Sequence, residues 1–119
     1  MWNHPDLIGN MWTNEAEEVG STEDKDGNGY KGDRYGYNFV KNTGIISWTS
    51  AEDTGHGTHV AGTIAAVNNN NEGVGGIAGG DGTENSGVKI MTCQLFDGTY
   101  GCTLQPKQKP SSMLLTTVL

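Results

Sequence analysis

The chain has 119 residues, seven Lys or Arg against fourteen Asp or Glu, a net charge of −7, and 34% apolar residues. That length suits one small domain rather than two, the acidic balance argues against nucleic-acid binding because it repels phosphate, and no apolar run approaches the ~18 residues of a membrane span. Glycine supplies 19 residues, roughly twice the usual ~7% share, so loops and close backbone approaches are expected in place of a large core.

Met1 is followed directly by Trp-Asn-His-Pro-Asp, with neither a basic head nor an apolar run, so no signal peptide is read here. Residues 1–34 hold Pro5 and scattered glycines between acidic side chains, and read as irregular. "YGYNFV", 35–40, alternates aromatic with small or polar residues and suits a short strand. "KNTG" follows as a turn, and "IISWT", 45–49, is a second candidate strand. "DTGHGTHVAGTIAAV", 53–67, reads as a helix with Asp53 or Thr54 near its cap. Residues 68–87 form a loop on composition, and "VKIMTCQLF", 88–96, suits a buried strand. From Thr103 to Leu119 glycine and acidic residues vanish. The break near Cys102 divides the chain into a domain-like part, 1–101, and a divergent tail, 102–119, that a shifted reading frame, disorder or an insertion would explain. Cys93 and Cys102 are too few for a disulfide framework, and the sequence leaves them free or paired.

The helix at 53–67 carries the chemistry. Helical spacing places His56, Val60, Thr63 and Val67 near one face. His56 falls in the first turn, where the positive end of the helix dipole disfavours imidazolium. A neutral imidazole is what a general base requires. An interior glycine costs a helix about 1 kcal/mol against alanine. Gly57 and Gly62, with Ala61, Ala65 and Ala66, are therefore expected to let the helix lie close against another backbone. Two other readings stand beside the catalytic one. The histidines could be partly buried and satisfied. His56 and His59 could also share a zinc ion, but they are three apart without the intervening Glu of the four-apart zinc-protease pattern, and no third ligand stands at a clean spacing.

"GHGTHVAGTIAA", 55–66, resembles the histidine motif of the subtilisin-like serine proteases. "NHPDL", 3–7, is similar to the segment just after that family's catalytic aspartate. "GNGYKGDRYGYNFV", 27–40, "GVGGIAG", 73–79, and "GVKIMTCQLFD", 87–97, resemble the segments around the histidine helix, so the resemblance covers roughly residues 2–101. It implies an α/β fold, a partial subtilisin-like arrangement with a mostly parallel sheet and flanking helices, loop-rich throughout. It also implies serine endopeptidase chemistry, peptide or protein substrates and an exported, extracellular setting. His56 takes the place of the general base in an Asp-His-Ser triad, and His59 a structural position on the same helix. The small residues would let the helix pack on the central sheet while His56 points into the cleft. "DGTYG", 97–101, would offer its backbone to an extended substrate.

The resemblance does not supply the rest of the triad. The family's aspartate motif precedes the His-Pro-Asp-Leu segment. The "DTG" of this chain, Asp53-Thr54-Gly55, abuts His56 instead and reads as a cap or surface turn. Ser112 in "PSSMLL" lacks the flanking residues of the family's serine motif. The chain thus reads as an early slice of a catalytic domain, with the histidine but without the aspartate and serine motifs, and inactive alone. The rivals are a non-catalytic calcium-binding or interaction module and an open reading frame without function.

Two places suit calcium. In "DKDGNGYKGD", 24–33, Asp24, Asp26 and Asn28 alternate and Gly29 follows, which matches the first half of an EF-hand loop. The twelfth position is Tyr35 rather than Glu, so another loop geometry is expected, with Asp33 or Glu23 completing it. A solvated acidic turn is the alternative. The second site is implied by the resemblance alone. It would use Asp6, Val67, Asn69 and Val74, although "NNNNEGV" is about one residue longer than the family's loop.

Overall fold

Only glycine fits at position 36. With φ at 118°, an added Cβ would fall on the backbone of Thr92, and that close approach begins the one parallel strand pair among the described residues. The computed structural model describes residues 2–46, 55–97 and 100–101. Strand β1, Gly36–Asn38, pairs in parallel with β2, Thr92–Gln94, in the register Gly36 to Thr92 and Asn38 to Gln94. Helix α1, His56–Ala65, lies between them in sequence, and β3, Phe96–Asp97, pairs antiparallel with β4, Tyr100–Gly101. One helix and a small parallel pair make a partial α/β arrangement.

The segment that leads from Ile90 into β2 has two successive partners. Met11 bridges Ile90 in parallel, and Gly36 then takes over at Thr92. Residues 13–34 are an excursion between these two stretches. Its neck is closed by the Asn14 N–H donating to Arg34 O at 2.7 Å. The irregular reading of 1–34 holds, apart from a single 3-10 turn at Ile8–Asn10.

Aromatic packing fills one side of the parallel pair. Tyr30, Tyr37 and Phe39 are buried together, with Met91, Cys93 and Leu95 against them. Their rings meet edge to face at 5.0 to 5.7 Å, a geometry that adds about 0.5–1.5 kcal/mol per pair beyond area burial. Leu7, Met11, Ala65 and Ala66 are buried as well. The "KNTG" turn forms as expected. Asn38 and Thr43 exchange backbone hydrogen bonds, Asn42 takes φ 52°, and Asn38 Oδ1 accepts from Val40 and Lys41 N–H.

Several expectations need correction. Ile45 and Ile46 form no strand. The run 88–96 is half-buried rather than buried, and it breaks at Leu95 into β2 and β3. The helix is shorter than 53–67. Gly55, in the left-handed region at φ 70°, caps its start without a side-chain bond, and Ala66 turns extended at its end. Val67 therefore leaves the predicted face. The close backbone contact falls elsewhere too. Added methyls at Gly57 and Gly62 would meet nothing within 4 Å, whereas those at Gly76 and Gly79 would collide with Ala65 and Ala66. Thus the turn after the helix packs on its C-terminal end, while Val60, Ile64 and Ile77 face outward. Asp53, Thr54, Trp48, Cys102, Ser112 and the whole tail 102–119 lie outside the described residues.

Candidate functional site

His56 opens α1 and is exposed. Among the described residues its ring accepts and donates no hydrogen bond, so nothing there fixes a tautomer. His59, one turn on, borders an open groove of about 800 Å³ with Asp6, Thr63, Val74 and Ile77. From α1 the groove is lined by Gly55, Thr58, His59, Gly62 and Thr63, and His56 is not among its lining residues, so the expectation that His56 points into the cleft is not met by this groove.

The opposite end of α1 meets the His-Pro-Asp-Leu segment. Asp6 is 3% exposed. Its Oδ2 accepts the Val74 N–H at 2.9 Å and its Oδ1 accepts the Asn70 amide at 2.9 Å. Those two bonds, the Val74 one foremost, hold its carboxyl below the usual value against the effect of burial. Asp6 O also accepts the Val67 N–H. Of the four residues implied for the second calcium site, Asp6, Val67 and Val74 come together. The Asn69 amide instead donates to Asp81 O at 2.9 Å, and Asn70, one place on, reaches Asp6.

The acidic excursion is denser than its sequence suggested. Oxygens of Glu17, Asp24 and Asp26 lie within 4.8 Å of one another. Glu17 is 1% exposed and Asp33 fully buried. Glu17 accepts the Lys25 and Gly32 N–H groups. Asn14 donates to Asp26 at 2.9 Å and to Asp33 at 3.0 Å, and Asn28 donates to Asp26 at 3.1 Å and to Asp33 at 2.9 Å. Burial works to raise the Asp24 carboxyl, but the Gly29, Gly27 and Asn28 N–H groups together bring it below the usual value. At Asp33 burial prevails, helped by the charge of Asp26, and its carboxyl is pushed up. Among the described residues no ammonium or guanidinium pairs with a carboxylate of the cluster: Lys25 turns to Glu18 at 2.9 Å, and Arg34 reaches Glu15 at 3.3 Å and the backbone O of Glu17 at 3.2 Å.

Asp24, Asp26, Asn28 and Asp33 thus share one cluster. Glu23 is exposed and stays out of it, its backbone N–H donating to Ser21. Glu17 and Asn14 were not foreseen. Glu17 sits in the run Glu15-Ala16-Glu17-Glu18, and nothing in that spacing separates the one buried carboxylate from its exposed neighbours.

Residues 1–99 match the subtilase family, the S8 peptidases. The chain belongs to that family. Subtilisin-like protease 1 of Plasmodium berghei (strain Anka) is 41% identical over 97 residues, which is 81% of this chain and 14% of that protein. The proteins of the same name in Plasmodium falciparum (isolate 3D7) and Plasmodium vivax are each 40% identical over 97 residues, again 81% of this chain, and 12% and 14% of their own lengths. The chain therefore spans about an eighth of the curated relatives that it matches. Each of these relatives carries a protease name, and none lends support to a non-catalytic module. No helix among the described residues is long and apolar enough to cross a membrane.

Proposed function

We propose that this subtilase segment belongs to a serine endopeptidase in which His56 is the general base. What carries the reading is the family match over residues 1–99 together with an exposed imidazole at the first position of α1. His56 would take the proton of a seryl hydroxyl as it attacks a peptide carbonyl, then deliver it to the leaving amine. No residue of this chain is assigned as the aspartate or the serine of the triad, and on this reading the 119 residues alone would be inactive towards peptides. An extracellular setting follows from the same family reading.

Calcium would be held at the excursion by Glu17, Asp24, Asp26, Asn28 and Asp33. The donor set supports this: hard oxygens, several of them anionic, with no ion pair to these carboxylates among the described residues. Its chemistry would be structural, neutralising carboxylates that otherwise repel. A second, weaker site would use Asp6, Val67 and Val74, with Asn70 rather than Asn69 beside them, where N–H donors already occupy both Asp6 oxygens.

A segment swap tests the catalytic reading. The matching 97 residues of the Plasmodium vivax relative are replaced by those of this chain, and turnover of a chromogenic peptide is measured. The expected result is an active chimera that His56→Ala silences by about 10³-fold or more in kcat, while the isolated chain stays at background. A folded, active chimera indifferent to His56→Ala would overturn the assignment.

A further inference from the structure

We propose that Asn10 is a positioning residue for the helix that carries His56, a proposal that rests on the reading of His56 as the general base. An α-helix leaves its last carbonyls without intrahelical partners. In α1 each from Thr63 to Ala66 finds a donor outside the helix. Ile77 N–H reaches Thr63 O at 3.0 Å, Ala78 N–H reaches Ile64 O at 2.7 Å, and Gly76 N–H reaches Ala66 O at 3.1 Å. Ala65 O is taken by the Asn10 side chain, whose Nδ2 donates at 3.0 Å and donates again to Gly79 O at 3.1 Å.

Asn10 is 4% exposed, so its amide has no water to fall back on. Its own backbone O accepts the Ile90 N–H at 2.8 Å. One residue therefore ties the C-terminal end of α1 to the turn that caps it and to the strand leading into β2. At the other end, among the described residues, Gly55 caps the helix without a side-chain bond, and the space beside Gly57 is open. The direction of α1, and with it the place of His56, is set from the clamped end. His56 is nine residues from Ala65, about 14 Å at 1.5 Å per residue. A tilt of about 4° at the clamp moves the imidazole by about 1 Å, and a displacement of that size can cost a reaction about a hundredfold.

The test is nuclear magnetic resonance on the full 119-residue chain, with no activity readout. Asn10→Asp is near-isosteric and removes both donors. It is expected to shift the His56 ring resonances and to speed amide exchange at Ile77 and Ala78 by about tenfold or more, while the ring signals of Tyr30, Tyr37 and Phe39 stay in place. Gly87→Ala gives a second route, since its Cβ would sit 2.5 Å from Asn10 Nδ2, and it should produce the same changes with Asn10 present. A lower melting point with unmoved His56 signals would reduce Asn10 to a packing role and sink the proposal. Unprotected Ile77 and Ala78 amides in the wild-type chain would also sink it, as would an unfolded Asn10→Asp chain alongside a Gly87→Ala chain whose His56 is unmoved. Failure of the segment swap would leave this result standing, so the two readings fail separately.

Discussion

Val74 donates its N–H to Asp6 Oδ2 at 2.9 Å, joining points 68 residues apart in the chain. With Asn70 on the other oxygen, Asp6 closes the loop after α1 onto the His-Pro-Asp-Leu turn. Asp6→Asn turns one acceptor into a donor that faces another N–H. Leaving a buried group unmatched costs about 1–3 kcal/mol. Urea unfolding in calcium-free buffer should show that loss. Asn69→Gly suits the left-handed backbone there, φ 59°, removes only an exposed bond to Asp81 and should cost less than about 1 kcal/mol. Equal losses for the two variants would mean that the loop is not held through Asp6.

The glycines separate into two kinds that helix propensity alone would treat alike. Gly57→Ala and Gly62→Ala add methyls into open space inside α1, so each should stabilise the isolated chain by up to about 1 kcal/mol. Gly76→Ala and Gly79→Ala drive methyls into the backbone of Ala65 and Ala66, and should cost about 1–3 kcal/mol or prevent folding. Thermal melts of the four variants check the sign. A loss at Gly62 would mean that something covers that face of the helix in solution.

The parts legible in the sequence were those written in local pattern. The helix showed in its string of small and β-branched residues between a turn and an asparagine run, and the 41–44 turn in Asn and Gly. The cap was not legible: α1 starts at Gly55 through a left-handed backbone, a conformation that the residue pattern does not mark, and Asp53 and Thr54 lie outside the described residues. The role of the helix glycines was misplaced for a related reason. Glycine tolerates a close contact without revealing where the contact is, and here it falls at Gly76 and Gly79 after the helix. At the acidic loop the alternation of Asp24, Asp26 and Asn28 was visible. Glu17 was not, since its burial depends on the chain folding back so that the Gly32 N–H meets it at 3.0 Å.

That buried glutamate gives the calcium reading a sharp test. If calcium occupies the excursion, excess ion raises stability by mass action, about 2.7 kcal/mol at a hundredfold over Kd. Calorimetric titration and melting of the wild-type chain should show heat and an upward shift. Glu17→Gln should weaken both, whereas Glu23→Gln, outside the cluster, should leave them as they were. Absence of heat and of any melting shift in the wild type would remove the ion from both loops. Loss in the Glu23 variant alone would move the site away from Glu17.

The loop at 81–86 carries its own pH dependence. Asp81 Oδ1 accepts the Thr83 hydroxyl at 2.6 Å and the Thr83 N–H at 2.9 Å. These bonds, the hydroxyl first, lower its carboxyl from 3.8 to about 2. A depressed acid stabilises the folded loop fully above the ordinary value of 3.8, and the contribution fades as pH falls through that value towards about 2. Carboxyl carbon shifts followed from pH 6 to pH 2 should place Asp81 lowest among the aspartates that titrate freely. Thr83→Val keeps the N–H and removes the hydroxyl, so the midpoint should climb back towards 3.8. An Asp81 midpoint near 4 in the wild type, or one unmoved by Thr83→Val, would show that the turn is open in solution and that its hydroxyl bond does not set the carboxylate.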